Sequence, residues 1–311
     1  MLKQKIILDT DIGDDIDDAL ALALALEMPE LELIGVTTVF LDTDKRARIA
    51  QKMLSLWGVD IPVYAGLRKG EKIDAPIENV PCQYTPDLDD AAYAPLNNVY
   101  EDNGEAAVDF IVKSAEKYGD ALTVVAIGAL TNVAAALRKA PESMKKIQRI
   151  VLMGGCFYRQ FREWNILCDP QAAKEVLAFE GSVVCVGLDV TEQVKLNTRQ
   201  YQDILAVSGD ARLEYLASLV RLHTAYTGYT PVLHDPLTVY YVAHPEILLT
   251  ESVLVEVETK GEFSSGMTVN IDQLYDYLPY MMKGRRLLAA KAVCAKEFLE
   301  KFMEMVFHIQ G

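Results

Sequence analysis

Short apolar runs alternate with helical patterns along most of this chain. Six runs have the length and the β-branched character of buried strands, and the segments between most of them repeat apolar positions at helical spacing. This alternation predicts a mostly parallel, doubly wound α/β sheet flanked by helices. The predicted strands cover residues 5–8, 31–39, 61–64, 121–127, 147–153 and 182–188. One predicted helix begins at about residue 17, and four others cover residues 43–57, 104–118, 130–139 and 169–179.

Two segments depart from the alternation. Residues 68–103 contain four prolines and show no clear period, which is typical of a long excursion that forms a lid or an oligomer contact. Beyond residue 189 the pattern is richer in helix and includes one hairpin at about 253–269. No low-complexity linker divides the chain, so we expect residues 1–311 to form a single domain with a C-terminal helical region and a small hairpin.

Six aspartates crowd into ten residues directly after the first predicted strand. Two carboxylates about 4 Å apart repel by roughly 4 kcal/mol at an effective dielectric constant near 20. That repulsion is large beside the roughly 5–15 kcal/mol that stabilises a domain, so the carboxylates either point into water or surround a cation. Their position at a strand-to-helix turn, where α/β sheets bind ligands, favours a metal site. The six are Asp9, Asp11, Asp14, Asp15, Asp17 and Asp18.

Other polar residues also follow predicted strands. Asp42 follows the second strand, Ile127 and Gly128 close the fourth, and residues 154–165 follow the fifth. The carboxyl ends of parallel strands meet at one edge of a sheet, so we expect these residues near the aspartates.

Charge and cysteine content limit the possible partners and location. The formal net charge is −15, which argues against nucleic acid or anionic membranes because both require a basic surface. A neutral or cationic small molecule remains compatible with this charge. The five cysteines are odd in number and lack CxxC spacing, which is typical of reduced residues in a cytoplasmic protein.

The string DTDIGDDIDDA at residues 9–19 resembles the nucleoside hydrolases, the inosine–uridine-preferring nucleoside N-ribohydrolase family. The resemblance implies Ca²⁺-dependent hydrolysis of the N-glycosidic bond of ribonucleosides in nucleoside salvage. It also implies a homodimer or homotetramer whose other partner is the nucleoside. Further matching segments, in the family's order, are VTTV at 36–39, GALTNV at 128–133, VLMGG at 151–155, EWN at 163–165, GLDVT at 187–191 and HDP at 234–236.

The resemblance also implies a set of calcium ligands. They are Asp11, Asp18, the backbone carbonyl of Ile127 and the carboxylate of Asp235, and Asp11 is the implied general base. Oxygen-only ligation suits a hard cation.

One departure from the family pattern affects this ligand set. Two extra residues separate Gly13 from the Asp-Asp pair that opens the following helix. Counting back from the helix makes Asp17 and Asp18 the pair, with Asp17 a substrate contact and Asp15 an additional residue of the metal site. Counting forward from Gly13 instead makes Asp15 the first member of the pair, and both alternatives stay open.

The resemblance further implies contacts to the sugar. Glu163 and Asn165 would bind the 5′ side of the ribose, and Trp164 between them would flank the pocket. Asp42 stands where the family generally has Asn, and we expect it to bind a ribose hydroxyl.

Two residues are candidates for contacting the nucleobase. His234 is the candidate acid for the leaving group because imidazole titrates near neutral pH. Tyr226, three residues after His223, either stacks on the base or packs against the sheet. The chain has no His before residue 223, so the loop histidine of inosine-preferring members is missing. Purine, pyrimidine and nicotinamide ribosides therefore remain open.

An alternative from another functional class is a catalytically inactive nucleoside- or ribose-binding protein of the same fold. Binding alone would not require a centre that activates water. The full set of acidic ligands together with His234 therefore favours the enzyme.

Overall fold

The computed structural model describes residues 3–68, 80–94, 104–274 and 285–309. These residues form a nine-stranded sheet in the order β3-β2-β1-β4-β5-β6-β9-β7-β8. The strands are β1 (Gln4–Thr10), β2 (Leu31–Thr38), β3 (Val63–Ala65), β4 (Leu122–Ala126), β5 (Arg149–Met153), β6 (Val183–Val186), β7 (Leu248–Val257), β8 (Thr268–Asn270) and β9 (Arg286–Val293). The helices are α1 (Asp17–Glu27), α2 (Thr43–Trp57), α3 (Glu105–Tyr118), α4 (Thr131–Lys139), α5 (Pro141–Met144), α6 (Trp164–Cys168), α7 (Pro170–Leu177), α8 (Leu188–Thr191), α9 (Thr198–Leu205), α10 (Ala211–Thr227), α11 (His234–Ala243) and α12 (Ala295–Phe307).

Both faces of the sheet are covered, which explains why its central strands are continuous apolar runs. In β1, Ile6 and Leu8 join one hydrophobic core, while Ile7 between them joins the core on the opposite face. Successive side chains of a strand point to opposite faces, so a strand buried on both sides shows no polar alternation. The predicted doubly wound α/β fold is therefore confirmed.

Helix α1 is apolar on all sides because it is buried on all sides. Its residues from Asp17 to Ala25 are buried, and it packs against α11 and α12 as well as β2. A helix covered in this way needs no polar face. The Ala/Leu repeat of the sequence is thus explained by the position of α1 between the sheet and the C-terminal helices.

The C-terminal part of the sheet differs from the prediction. The expected hairpin is present as the antiparallel pair β7 and β8. It is joined to the main sheet by β9, which pairs parallel to β6 and antiparallel to β7. Strand β9 was not predicted because RLLAAKAV is rich in alanine, which is depleted in strands, and lacks a strict alternation of buried and exposed positions.

The predicted excursion at residues 68–103 is described only in part. Residues 80–94 contain two short 3₁₀ turns, at Pro86–Asp89 and Ala91–Tyr93. These turns pack against α2. Residues 69–79 and 95–103 lie outside the described residues.

Among the described helices, none is both long enough and apolar enough to cross a membrane.

Candidate active site

The order of the strands changes direction at one position in the sheet. The chain proceeds outward from β1 to β3 in one direction and from β4 to β6 in the other, so the order reverses between β1 and β4. The loops leaving two such strands diverge and open a crevice at their carboxyl ends, where ligands bind in open α/β sheets. The acidic loop, which we define as residues 11–18, leaves β1 at this point.

Gly128, in the loop after β4, allows that loop to approach the acidic loop closely. A Cβ atom at position 128 would lie 2.8 Å from both the backbone nitrogen and a carboxylate oxygen of Asp11. The backbone nitrogen of Ile127 also donates to the carbonyl of Asp9 at 2.8 Å. The two loops are therefore fixed against each other at the floor of the crevice.

Three carboxylates meet in this crevice. Asp17 and Asp18 belong to the first turn of α1, and Asp235 belongs to the first turn of α11. Their carboxylate oxygens lie within 4.8 Å of one another, and each residue is at most 4% exposed. The partial positive charge at the start of both helices favours carboxylates here. The backbone nitrogen of Asp235 donates to Asp17 at 3.1 Å, and the Thr10 hydroxyl donates to Asp18.

These three carboxylates suit a hard divalent cation. Burial raises the pKa of Asp17, Asp18 and Asp235 well above the ordinary value, and the neighbouring carboxylates raise it further. A buried group of negative charges is costly unless a positive charge compensates it. An all-oxygen donor set of this kind could therefore hold a metal ion of the calcium or magnesium class.

Asp11 stands beside the three carboxylates. Burial raises its pKa from 3.8 to about 6, the guanidinium of Arg46 lowers it, and the charge of Asp14 raises it again. Asp11 in turn raises the pKa of each of the three clustered aspartates. It is thus a buried carboxyl group whose pKa has moved toward neutrality.

The loop after β5 brings an amide and a further carboxylate to the same region. Asn165 donates through Nδ2 to the backbone carbonyl of Ile127 at 2.9 Å and to that of Met153 at 3.1 Å. Glu163 caps α6 and accepts from the backbone nitrogens of Asn165 at 2.8 Å and of Gly155 at 3.1 Å. Burial, aided by the charge of Asp11, raises the pKa of Glu163 to about 7 despite these donors.

His234 is the first residue of α11, next to the cluster. Its Nδ1 lies 2.7 Å from the hydroxyl of Thr191, which fixes the orientation of the ring. In the described part of the chain, Nε2 makes no hydrogen bond. Burial lowers the pKa of His234, while the charges of Asp15 and Glu192 raise it.

The family model for the inosine-uridine preferring nucleoside hydrolases matches residues 6–300 of this chain, which include every element of the crevice. The chain belongs to this family. It is therefore a hydrolase that acts on the N-glycosyl bonds of nucleosides.

This nucleoside hydrolase is similar to one curated relative and two solved structures over most of its length. The pyrimidine-specific ribonucleoside hydrolase RihA of Enterobacter sp. strain 638 is 36% identical over 277 residues, covering 85% of this chain and 87% of the relative. The plant nucleoside hydrolase PpNRh1 superposes with a TM-score of 0.80 at 25% identity, over 97% of this chain and 98% of that one. The purine-preferring ribonucleoside hydrolase of Gardnerella vaginalis does so with a TM-score of 0.76 at 30% identity, over the same shares.

Two predicted site residues of this nucleoside hydrolase do not belong to the group of three buried carboxylates. One of them, Asp15, is still close enough for its charge to add to burial in raising the pKa of Asp17, Asp18 and Asp235. The side chain of Asp15 is 55% exposed, and its carboxylate lies 3.6 Å from Nδ1 of the buried His223. Asp17 rather than Asp15 therefore occupies the cluster with Asp18 and Asp235. Asp42 caps α2, and its carboxylate lies 3.0 Å from Nζ of Lys45.

The two aromatic residues that were predicted to line the pocket of this nucleoside hydrolase both have exposed side chains. Trp164 is 56% exposed and lies edge-on to Phe40, with ring centroids 6.3 Å apart. Tyr226 is 78% exposed, so it does not pack against the sheet, and Tyr229 nearby is also exposed. The side chains of Trp164 and Tyr226 are therefore accessible to a ligand.

Three buried polar residues that support the crevice were not predicted from the sequence. Thr37 and Asn132 donate to the buried carboxylate of Asp9, at 2.6 and 2.7 Å. Arg46 lies beneath the acidic loop. Thr37 and Asn132 fall within the segments VTTV and GALTNV, so they were within reach of sequence analysis, whereas nothing in the pattern of α2 singles out Arg46.

Proposed function

We propose that this nucleoside hydrolase uses a bound Ca²⁺ ion, with Asp11 as general base, to cleave ribonucleosides into free base and ribose. The observation that carries the proposal is the group of buried carboxylates at the switch point of the sheet, with Asp11 beside it. Their burial and mutual repulsion leave a requirement for positive charge that a divalent ion satisfies. An irregular, all-oxygen protein cage favours Ca²⁺ over Mg²⁺, which usually keeps several water ligands.

The proposed ligands are the carboxylates of Asp11, Asp18 and Asp235 together with the carbonyl oxygen of Ile127. That carbonyl accepts one hydrogen bond from Asn165, and an oxygen with two lone pairs retains one for a cation. Asp17 shares the cluster and is the proposed contact to a ribose hydroxyl, while Asp15 remains a predicted additional residue of the metal site. When bound, the ion would supply positive charge that favours deprotonation of a neighbouring water molecule.

The reaction needs a base for water and an acid for the departing nucleobase. Asp11, with its pKa raised to about 6, remains mostly ionised at neutral pH and can accept a proton from the attacking water. The water oxygen bonds to the anomeric carbon as the C–N bond breaks, through a transition state with positive charge on the sugar. Glu163 and Asn165 are the proposed contacts to the ribose, and Asp42 is a proposed contact to a hydroxyl.

His234 is the proposed donor of the proton that the nucleobase takes as it leaves. The hydrogen bond to Thr191 at Nδ1 orients the ring and leaves Nε2 for this role. The exposed rings of Tyr226 and Trp164 are proposed contacts at the mouth of the crevice. The named relatives include a pyrimidine-specific and a purine-preferring hydrolase, so likeness alone favours neither base.

The proposal is tested by incubating the protein with inosine, uridine, cytidine and nicotinamide riboside and measuring free ribose. We expect ribose release from at least one nucleoside. Removing the metal with a chelator should abolish this release, and adding Ca²⁺ should restore it more effectively than adding Mg²⁺. Tight nucleoside binding without ribose release would instead favour the inactive binding protein, and full activity after metal removal would exclude the calcium proposal.

Replacing His234 with alanine is expected to affect substrates according to their leaving groups. A general acid typically contributes about 10²- to 10⁴-fold in rate, so kcat for the best nucleoside should fall within this range. Nitrophenyl riboside, whose leaving group departs without a proton, should be cleaved at close to the wild-type rate. His244→Ala is the matched control because His244 stacks on Tyr240 outside the crevice. An equal loss on both kinds of substrate would argue against the acid role.

A further inference from the structure

Arg46 is a fully buried arginine that contacts two loops of the crevice. It lies in α2 and is 1% exposed. Its Nε donates to the carbonyl of Phe40 at 2.8 Å, in the loop after β2. Its Nη1 donates to the carbonyls of Asp11 and Ile12, the latter at 3.1 Å, in the loop after β1. One guanidinium group therefore ties together the segments that leave two neighbouring strands.

The fourth contact of Arg46 is an ion pair with the acidic loop. Its Nη2 lies 2.7 Å from the carboxylate of Asp14, whose side chain is about half exposed. This is the one ion pair that a lysine or arginine makes to residues 11–18 within the described part of the chain. All three nitrogens of the guanidinium are thus engaged, and their fixed planar geometry sets the positions of the four acceptors.

The backbone of the loop after β2, which accepts the hydrogen bond from Nε of Arg46, is strained. Phe40 and Leu41 have φ angles of +70° and +56°, a left-handed conformation that bulky residues rarely adopt. Strain of this kind persists only where surrounding contacts hold it, and the bond from Arg46 to the Phe40 carbonyl is such a contact. The same guanidinium therefore helps to hold the loop that carries Asp42 and places Phe40 against Trp164, together with backbone hydrogen bonds from Phe40 and Leu41 to the segment after β3.

We propose that Arg46 is a positioning residue that holds the backbone of Asp11 and the loop after β2 in the arrangement required for metal binding. This inference rests on the proposed function, because it assumes that the acidic crevice binds a cation. Arg46 acts through the backbone carbonyl of Asp11 rather than by touching substrate. Buried groups that orient metal ligands in this way typically change metal affinity about 10- to 100-fold when they are replaced.

Electrostatics alone leads to the opposite expectation. Once the acidic ligands are ionised, a fixed positive charge near a cation site repels the cation, so removing the charge of Arg46 would tighten metal binding. Replacing Arg46 with lysine retains the charge and removes the planar fork, whereas replacing it with methionine removes both. If position matters more than charge, both changes weaken metal binding. If charge alone matters, Arg46→Met strengthens binding and Arg46→Lys leaves it unchanged.

The test is calorimetric titration of the metal-free, full-length protein with Ca²⁺, without nucleoside. We expect Arg46→Lys and Arg46→Met each to raise the Kd for Ca²⁺ by at least about tenfold. The matched controls are Arg48→Lys and Arg48→Met, since Arg48 lies on the same helix but donates to the carbonyls of Leu88 and Asp90. Both controls should stay within about twofold of wild type.

Two outcomes would overturn the inference. One is a wild-type Kd in Arg46→Lys with only a lowered melting temperature, which would show a purely structural role. The other is tighter Ca²⁺ binding in Arg46→Met. Should both variants fail to fold, crystals of the wild-type protein with and without Ca²⁺ decide the question: the inference requires the contacts of Arg46 to Asp11, Ile12 and Phe40 in both states. A wild-type protein that binds no Ca²⁺ would instead overturn the proposed function.

Discussion

Replacing Asp11 with asparagine is expected to abolish nucleoside cleavage while leaving the fold intact. The change removes both the proposed base and one proposed calcium ligand, so kcat should fall by about 10³-fold or more. Ribose release by the purified variant at saturating nucleoside and Ca²⁺ measures this loss.

The effect of the same change on stability has a definite sign. Burial raises the pKa of Asp11 from 3.8 to about 6, so the folded protein holds the proton more tightly than the unfolded chain does. In the metal-free protein, stability therefore falls as pH rises from about 4 through 6, because ionisation of this buried group is unfavourable. Asparagine cannot ionise, so metal-free Asp11→Asn should melt at the wild-type temperature or higher at pH 7.5.

Asp120→Asn is the matched control for Asp11→Asn. Asp120 is exposed just before β4, at the opposite edge of the sheet, and its replacement should leave both kcat and the melting temperature unchanged. Wild-type turnover in Asp11→Asn would remove the assignment of the base. A large fall in the melting temperature of the metal-free variant would show that Asp11 is instead required for folding.

Replacing Asp235 with asparagine is expected to change stability in opposite directions without and with calcium. Burial beside Asp17 and Asp18 raises the pKa of Asp235 well above its ordinary value, so its ionised form destabilises the metal-free protein at neutral pH. The metal-free variant should therefore melt at a higher temperature than wild type. The hydrogen bond from the backbone of residue 235 to Asp17 survives the substitution because it uses the main-chain nitrogen.

With calcium, the wild-type protein should instead melt at a higher temperature than Asp235→Asn. At a calcium concentration of about 100 times Kd, binding stabilises the wild-type protein by about 2.7 kcal/mol. Loss of one charged ligand weakens calcium binding by about a hundredfold, so the same concentration would stabilise the variant by only about 0.4 kcal/mol. Thermal melts with and without calcium measure both effects.

Asp272→Asn is the matched control for Asp235→Asn, because Asp272 is a carboxylate that already has a cationic partner. Asp272 pairs with Arg286 at 2.7 Å; burial raises the pKa of Asp272, but the hydrogen bonds from Arg286 and the Leu254 backbone and the charge of Arg286 lower it below the ordinary value. Its replacement should lower the melting temperature slightly, and equally with and without calcium. If Asp235→Asn behaves in the same way as Asp272→Asn, Asp235 is not a calcium ligand.

The local elements of the fold could be predicted because they depend on local pattern. Strand β1 is buried on both faces and appears as an apolar run, and the run of alanine and leucine after Asp18 predicts α1. Strand β9 could not be predicted, because its segment RLLAAKAV is rich in alanine, which is depleted in strands, and does not alternate strictly between buried and exposed positions.

The candidate site was predictable in location but not in its internal arrangement. Polar residues after successive parallel strands must meet at one edge of the sheet, so the crevice follows from the order of elements. The choice between Asp15 and Asp17 could not be made by counting residues, because both counts fit the string. The structure places Asp17 in the cluster because it lies in the first buried turn of α1, whereas Asp15 lies before the helix with its side chain half exposed.

The sequence by itself determined the α/β class, the family and the acidic turn, because each is recorded in neighbouring residues. Only the tertiary structure decided which charges meet. Asp235 reaches Asp17 across 218 positions through the packing of α1 against α11. Arg46 reaches the acidic loop because α2 packs beneath it. Contacts of this kind depend on how whole elements pack, and no local pattern of residues encodes them.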